Sequence, residues 1–229
     1  PNRPDWRVEE LSLADGVSFE RINSRRALLD EIDRQRAALV GGEHGGLKER
    51  AFGLLSSPES RKAFDLGAEP ESVRDRYGRN AWGQQLLLAR RLVEAGVDIL
   101  TTSLSGALCG RVQNWDDHAV NHHVFDAMRF RAEVWDQAVT ALIEDIYERG
   151  LDKRVLVVVT GEFGRTPKIS YAASTGAGDA SAPAGTMQPG RDHWPRAFSN
   201  IWAGGGIQTG RFIGATDKRG EDSIERICG

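Results

Sequence analysis

One amphipathic stretch constrains the fold of this chain more than any other feature. From His122 to Arg149, apolar side chains recur at three- and four-residue steps, at Phe125, Met128, Ala132, Trp135, Ala138, Val139, Leu142, Ile146 and Tyr147, and Gly150 ends the pattern. That spacing predicts a long helix with a single apolar stripe, closed by a glycine able to take the left-handed conformation of a helix terminus. On either side lies a short β-prone segment: GVDILTTSL, with Val97, Ile99, Thr101 and Thr102, and RVLVVVT, Arg154 to Thr160. The second has no polar alternation, as in a strand covered on both faces. Strand, helix, strand reads as a βαβ unit, whose crossover joins parallel strands and puts their carboxyl ends on one sheet edge. The expected fold class is therefore α/β, a parallel-sheet sandwich with helices on both faces.

The remaining organisation is consistent with a single α/β domain over residues 1–229, 40% apolar and 28% charged. Ser18 caps an expected helix to about Leu39, with Phe19, Ile22, Leu28, Leu29 and Ile32 on one side and GGEHGG as its stop. Glu69 to Glu94 reads as a second helical region, with Ser72 to Asp75 resembling a capping box. Residues 170–190, rich in Ala, Gly, Ser and Pro, read as a flexible loop, and Ala197 to Ala203 as a third strand. A glycine-rich hairpin or loop is expected in IQTGRFIGATDKRGE. A net charge of −3 without a basic stripe argues against nucleic acid and anionic membrane as partners. No apolar run approaches the roughly 20 residues of a membrane span. Cys109 and Cys228 match no metal or disulfide spacing.

Four of the five histidines fall in two polar clusters, NWDDHAVNHH and GRDHW. Asp116 and His118, two residues apart, can aim a carboxylate and an imidazole at one ion, and His193 can close a three-ligand set that leaves a position for water. Glu162, in the EFGR turn after the VLVVV strand, falls on the same expected edge and is a candidate ligand of a neighbouring ion or holder of a water. Arg165 and Arg191 are candidates for steadying an anionic group. Simpler roles compete. Asp116 or Asp117 suits a helix cap, His122 and His123 suit surface or packing positions, and Glu162 with Arg165 suits an ion pair across the turn. Asp192 suits an orienting partner for its neighbouring imidazole. His44, between glycines, carries no inference.

These segments, in the order RYGRNAWGQQLLLARRLVEAGVDILTTSL, WDDH, VLVVVTGEFGRTP, GRDHWPRAFSNIWAGGG and GRFIGATDKRGE, resemble the bacterial family catalogued as domain of unknown function 1501, from about Arg21 to Glu221. That family resembles a branch of the alkaline phosphatase and sulfatase superfamily, whose parallel sheet carries metal ligands on loops beyond its strand ends. The resemblance implies that Asp116 and His118 of WDDH, with His193 of GRDHW, ligate one zinc. It places Glu162 where the superfamily has an Asp-His pair, with Phe163 standing in for the histidine. It also implies an incomplete domain, because nothing in Pro1 to Glu20 resembles the GGPSQ-like turn and aspartate that hold the superfamily's nucleophile. The family's last segment is expected to be missing as well, and a periplasmic or secreted location is implied.

Three functions fit these residues. The first is a metal-dependent hydrolase of phosphate or sulfate esters, acting on a small-molecule or glycan ester through a divalent ion, zinc before manganese or calcium, with Glu162, Arg165 and Arg191 assisting. The second is a non-catalytic binding or surface-associated module that keeps the fold, which the Phe163 departure favours. The third, an iron oxygenase with two histidines and one carboxylate, matches the ligand count but not the βαβ pattern.

Overall fold

The computed structural model describes residues 18–40, 62–105, 108, 114–178 and 180–224. The GGEHGG stop, His44, Cys109, Cys228 and most of Pro1 to Glu20 lie outside them. The first helix, α1 (Phe19–Val40), starts as expected, with Ser18 Oγ accepting from the Arg21 N–H at 3.2 Å. Its Leu28, Leu29 and Ile32 are exposed.

The expected Glu69–Glu94 helix is divided. A 3-10 turn, Leu66–Ala68, leads into α2 (Glu71–Tyr77) and then α3 (Ala81–Glu94). Gly78 makes the break, with φ at 94°, a conformation that costs a residue with a side chain dearly. Asn80 restarts the helix by accepting from the Gly83 N–H at 3.0 Å. The capping box expected at Ser72 is absent; Pro70 occupies the N-cap, without a side-chain bond. The long helix α4 (Val124–Glu148) forms as expected and buries Ala138, Val139, Leu142 and Ile146, but Phe125, Met128 and Tyr147 of the expected stripe are exposed. His123 caps it, its Nδ1 accepting from Asp126 N–H at 3.4 Å, and Gly150 follows at φ 67°.

Helices α2, α3 and α4 enclose the core, where Tyr77, Leu86, Leu87, Ala138, Leu142 and Ile146 are buried together. One buried charge ties α3 and α4 to the turn before α2. Arg90, 2% exposed, lies 3.0 Å from Glu69, 3.0 Å from Asp145 and 2.5 Å from Glu94. Its Nε and Nη2 miss hydrogen-bond alignment, so the contacts to Glu69 and Asp145 are ion pairs rather than directed bonds. Asp145 also accepts from the Tyr77 hydroxyl at 2.8 Å and from Arg149 Nε at 2.7 Å. Burial alone would raise the Asp145 carboxyl; the bonds from Arg149 and Tyr77 and the charge of Arg90 outweigh it and hold it below the ordinary range. Glu69 is lowered in the same way, against its burial, by Arg90 and Arg91.

The sheet departs from the expected parallel sandwich. The described strands form three separate two-stranded antiparallel pairs. β1 (Leu156–Val159) pairs with β6 (Ile201–Gly204), β2 (Gly164–Arg165) with β5 (His193–Trp194), and β3 (Ser170–Ala173) with β4 (Met187–Gly190). The segment 97–105 carries no strand. Its carbonyls are taken elsewhere: Ser105 accepts from the Trp82 indole at 3.3 Å and Leu104 from the Trp115 indole at 2.6 Å, which binds the segment to side chains of the helical layer and the WDDH loop instead of to β1. The β1–β6 pair turns Val157, Val159 and Ala203 toward the helices and leaves Leu156, Val158 and Trp202 exposed, so it is covered on one face rather than two. Within 170–190, where composition suggests a flexible loop, β3 and β4 form a hairpin anchored by the buried Gln188, whose side chain donates to Ala119 O at 2.7 Å and accepts from Ala182 N at 2.8 Å.

The Arg90 cluster gives a pH prediction. Carboxyls lowered in the folded state contribute stability that is full above roughly pH 5, where the unfolded groups are already ionised, and that is lost as pH falls through the folded values. Asp145→Asn is expected to lower stability at pH 7 by about 1–3 kcal/mol, because it removes one of the three carboxylates around buried Arg90 and the acceptor of Tyr77 and Arg149, and to flatten the acid limb of the stability curve. Urea unfolding across pH measures both.

Candidate metal centre

Alternation along a short extended stretch aims the first two candidate ligands. Asn114 opens it, its side-chain oxygen accepting from Asp116 N–H at 2.9 Å. Asp117 then points inward, 3% exposed, and pairs with the fully buried Arg131 of α4. The same guanidinium donates to Asn114 O and lies 4.5 Å from the centre of the Trp115 ring, which stacks on Trp82 at 5.5 Å. One arginine thus grips the residues on both sides of Asp116. With Asp117 turned in, its neighbours Asp116 and His118 are turned out.

The third ligand arrives on the short β2–β5 ladder. Arg165 and His193 are directly opposite in its register and therefore share a face. Close backbone contact brings that ladder against the WDDH loop. A Cβ on Gly190 would lie 2.0 Å from Ala119 N, so only glycine admits this approach, and the next N–H, of Arg191, donates to Asp117 O at 2.9 Å.

Asp116 Oδ1 is where these parts meet. His118 Nδ1 lies 2.6 Å from it, His193 Nε2 3.2 Å and the Arg165 guanidinium 3.3 Å. One ligand atom from each of Asp116, His118 and His193 falls within 4.8 Å of the others, the only such grouping of three among the described residues. Partial burial works to raise the Asp116 carboxyl, but the hydrogen bond from His193 and the charges of His118 and Arg165 prevail and hold it below the usual range. Two imidazoles and an ionised carboxylate are a donor set that suits zinc and other divalent transition ions. The contact of 2.6 Å is shorter than the about 3.3 Å that two ligands keep on one tetrahedral zinc with bonds of about 2.0–2.1 Å. The side chains as they stand are closed on one another by the His193–Asp116 hydrogen bond and the close contact of His118, which an ion would replace.

The other expected site residues lie differently. Arg165 is at the centre but committed: besides Asp116, it donates to Trp115 O at 2.6 Å and Arg191 O at 3.2 Å. Arg191 points away, donating to Thr166 O at 2.6 Å. Both act as struts between loops rather than as displayed cations. Glu162 is exposed, outside the three-ligand grouping, and makes no ion pair with Arg165. Asp192 lies 3.9 Å from Nε2 of His118, not beside His193 as its sequence position suggests. His122 is buried, its Nδ1 3.6 Å from Asp117 Oδ1, and His123 caps α4.

The family is decided by sequence. The chain matches the family described as Protein of unknown function (DUF1501) over residues 2–228. It belongs to that family. Neither a curated protein nor a solved structure matches it. In this DUF1501 protein the ligand loop is held by Asp117, a candidate helix cap in the sequence, a role His123 takes instead, and by Arg131 and Gly190, which sequence reading passed over. Arg131 left a signal: it lies on the apolar stripe of α4, three residues after Met128 and four before Trp135, where an arginine requires a buried carboxylate.

Arg131→Ala is expected to cost about 3–5 kcal/mol by leaving Asp117 buried without its partner. Gly190→Ala is expected to destabilise by about 1–3 kcal/mol or more, because all three colliding atoms belong to the backbone. Thermal and urea unfolding test both substitutions.

Proposed function

We propose that this DUF1501 protein holds one divalent cation on Asp116, His118 and His193, zinc being the ion its donors suit best, and that the centre serves the hydrolysis of a phosphate or sulfate ester. The observation that carries the reading is convergence. Asp116 and His193, 77 residues apart, and His118 place three ligand-type atoms together on a partly exposed surface. A cation bound with open positions polarises an ester oxygen or makes a bound water acidic. The chain's own part is to keep Asp116 ionised, to fix the two imidazoles, and to hold the loops through Arg165 and Arg191. Calcium fits less well than zinc or manganese, since it prefers oxygen ligands. Kinship with alkaline phosphatases and sulfatases belongs to the same proposal; it rests on WDDH and GRDHW and not on sheet topology.

A second reading, a metal-binding module without catalysis, is favoured by the position of Glu162 outside the grouping and by the engagement of both arginines with main-chain carbonyls.

Elemental analysis and calorimetry are expected to find one zinc or manganese per chain. His118→Ala and His193→Ala are expected to weaken binding at least a hundredfold, while Glu162→Gln leaves it unchanged. Turnover of aryl phosphate or aryl sulfate by the loaded protein, lost in the same histidine variants, supports the hydrolase. Metal binding without turnover supports the module, and no metal uptake at all defeats both readings.

A further inference from the structure

We propose that Phe163 is the positioning residue for His193, holding its imidazole plane as a hydrogen-bonded partner holds most metal-binding histidines; this rests on the metal-centre reading above. The two histidines of the centre are anchored unequally. His118 faces a carboxylate with each ring nitrogen, Asp116 at 2.6 Å and Asp192 at 3.9 Å. His193 has a polar partner, among the described residues, only at Nε2, where Asp116 lies 3.2 Å away, and its side chain is 48% exposed. A ligating imidazole ordinarily gives its other nitrogen to a carboxylate, carbonyl or water that fixes ring orientation, and losing that partner costs about 10–100-fold in metal affinity. Here aromatic contact takes that place. The Phe163 ring lies 4.1 Å from the His193 ring with the planes 35° apart, while the His118 ring stands 4.7 Å from His193 at 53°.

Phe163 is itself firmly placed. It immediately precedes the β2–β5 ladder, which pairs Gly164 with Trp194 and Arg165 with His193, and the Arg165 guanidinium lies 5.9 Å from its ring centre. Phe163 thus adjoins one strand of the pair while His193 lies on the other, so the ladder's backbone hydrogen bonds hold the two rings near each other. Half-buried Phe163 contributes no donor atom. Its contribution is to confine rotation of the ring whose Nε2 meets Asp116 without an ion and would meet the cation with one.

Two measurements on Phe163→Ala, Phe163→Leu and Phe163→Tyr test this. In the metal-free protein, imidazole proton resonances of His193 are expected upfield from the ring current of Phe163; they return toward free-histidine positions in the Ala and Leu variants and stay put in Tyr. In cobalt titrations followed by calorimetry and visible absorption, the Ala and Leu variants are expected to bind about tenfold or more weakly, with an altered band shape, and Tyr is expected to restore both. A change in folding stability alone would not alter the cobalt spectrum of the folded protein or be rescued selectively by an aromatic ring. His193 resonances unmoved in Phe163→Ala overturn the proposal, as does unchanged cobalt affinity and spectrum once the resonances have moved. Wild-type protein that takes up no cobalt defeats the metal reading, and the His193 resonances then decide the positioning role alone.

Discussion

The ion pair between Asp117 and Arg131 is the interaction on which the candidate centre depends. The two adjacent aspartates face opposite ways in the loop, and the buried guanidinium on α4 holds Asp117 inward. A charge buried at Arg131 is tolerable only with a carboxylate against it. Satisfying that need also orients Asp116 and His118 outward, on the side where β5 delivers His193. The stripe of a core helix thus prescribes the direction of side chains on a surface loop. Trp82 and Trp115 extend the same support, carrying it from α3 to the residue just before Asp116.

Closing the centre needs a second constraint, on backbone instead of charge. The WDDH loop and the GRDHW segment touch main chain to main chain through Arg191 N–H to Asp117 O, beside the Gln188 side chain that donates to Ala119 O, with Gly190 lacking the side chain that would force them apart. Such contacts are short and directional, and they set the separation of the ligands more tightly than long side chains could. Arg165 and Arg191 complete this framework by donating to carbonyls of the facing loops. Their planar, multiply donating heads suit bridging work, which explains why arginine occupies both positions.

Features governed by local chemistry were legible in the sequence. The helix from Val124 to Glu148, the Ser18 cap, the glycine after α4 and the pairing of WDDH with GRDHW all follow from residues close together in the chain or from the chemistry of histidine and aspartate. The sheet was not legible, because β-propensity describes a residue's fit to a pleated surface and does not name the neighbouring strand. Val97 to Leu104 has the composition of a strand, yet two tryptophan indoles claim carbonyls at its end. Ser170–Ala173 and Met187–Gly190 look like linker, yet one buried glutamine, Gln188, pins them as a hairpin. The roles of Arg165 and Arg191 were obscured for a related reason: a guanidinium serves an anion or a carbonyl equally well, and only the loop it faces decides.

The electrostatics of the assembled centre bear on what it can attract. Without a cation, the Asp116 carboxylate is matched by the single guanidinium of Arg165, and Asp192, more exposed, adds a negative charge beside His118. Apart from the imidazoles, the charges at the centre do not sum to a positive field that would draw in an anionic ester. A divalent cation reverses the balance, since its charge exceeds that of the nearby carboxylates left unmatched, and in a metal site the ion is the largest local charge. The arginines, held to carbonyls and to Asp116, cannot supply that reversal by swinging outward without giving up the contacts that join the loops. In the proposed hydrolase, affinity for a phosphate or sulfate group would therefore be contingent on the metal, and the same three side chains that lie against one another without an ion are those that would create the positive field with one.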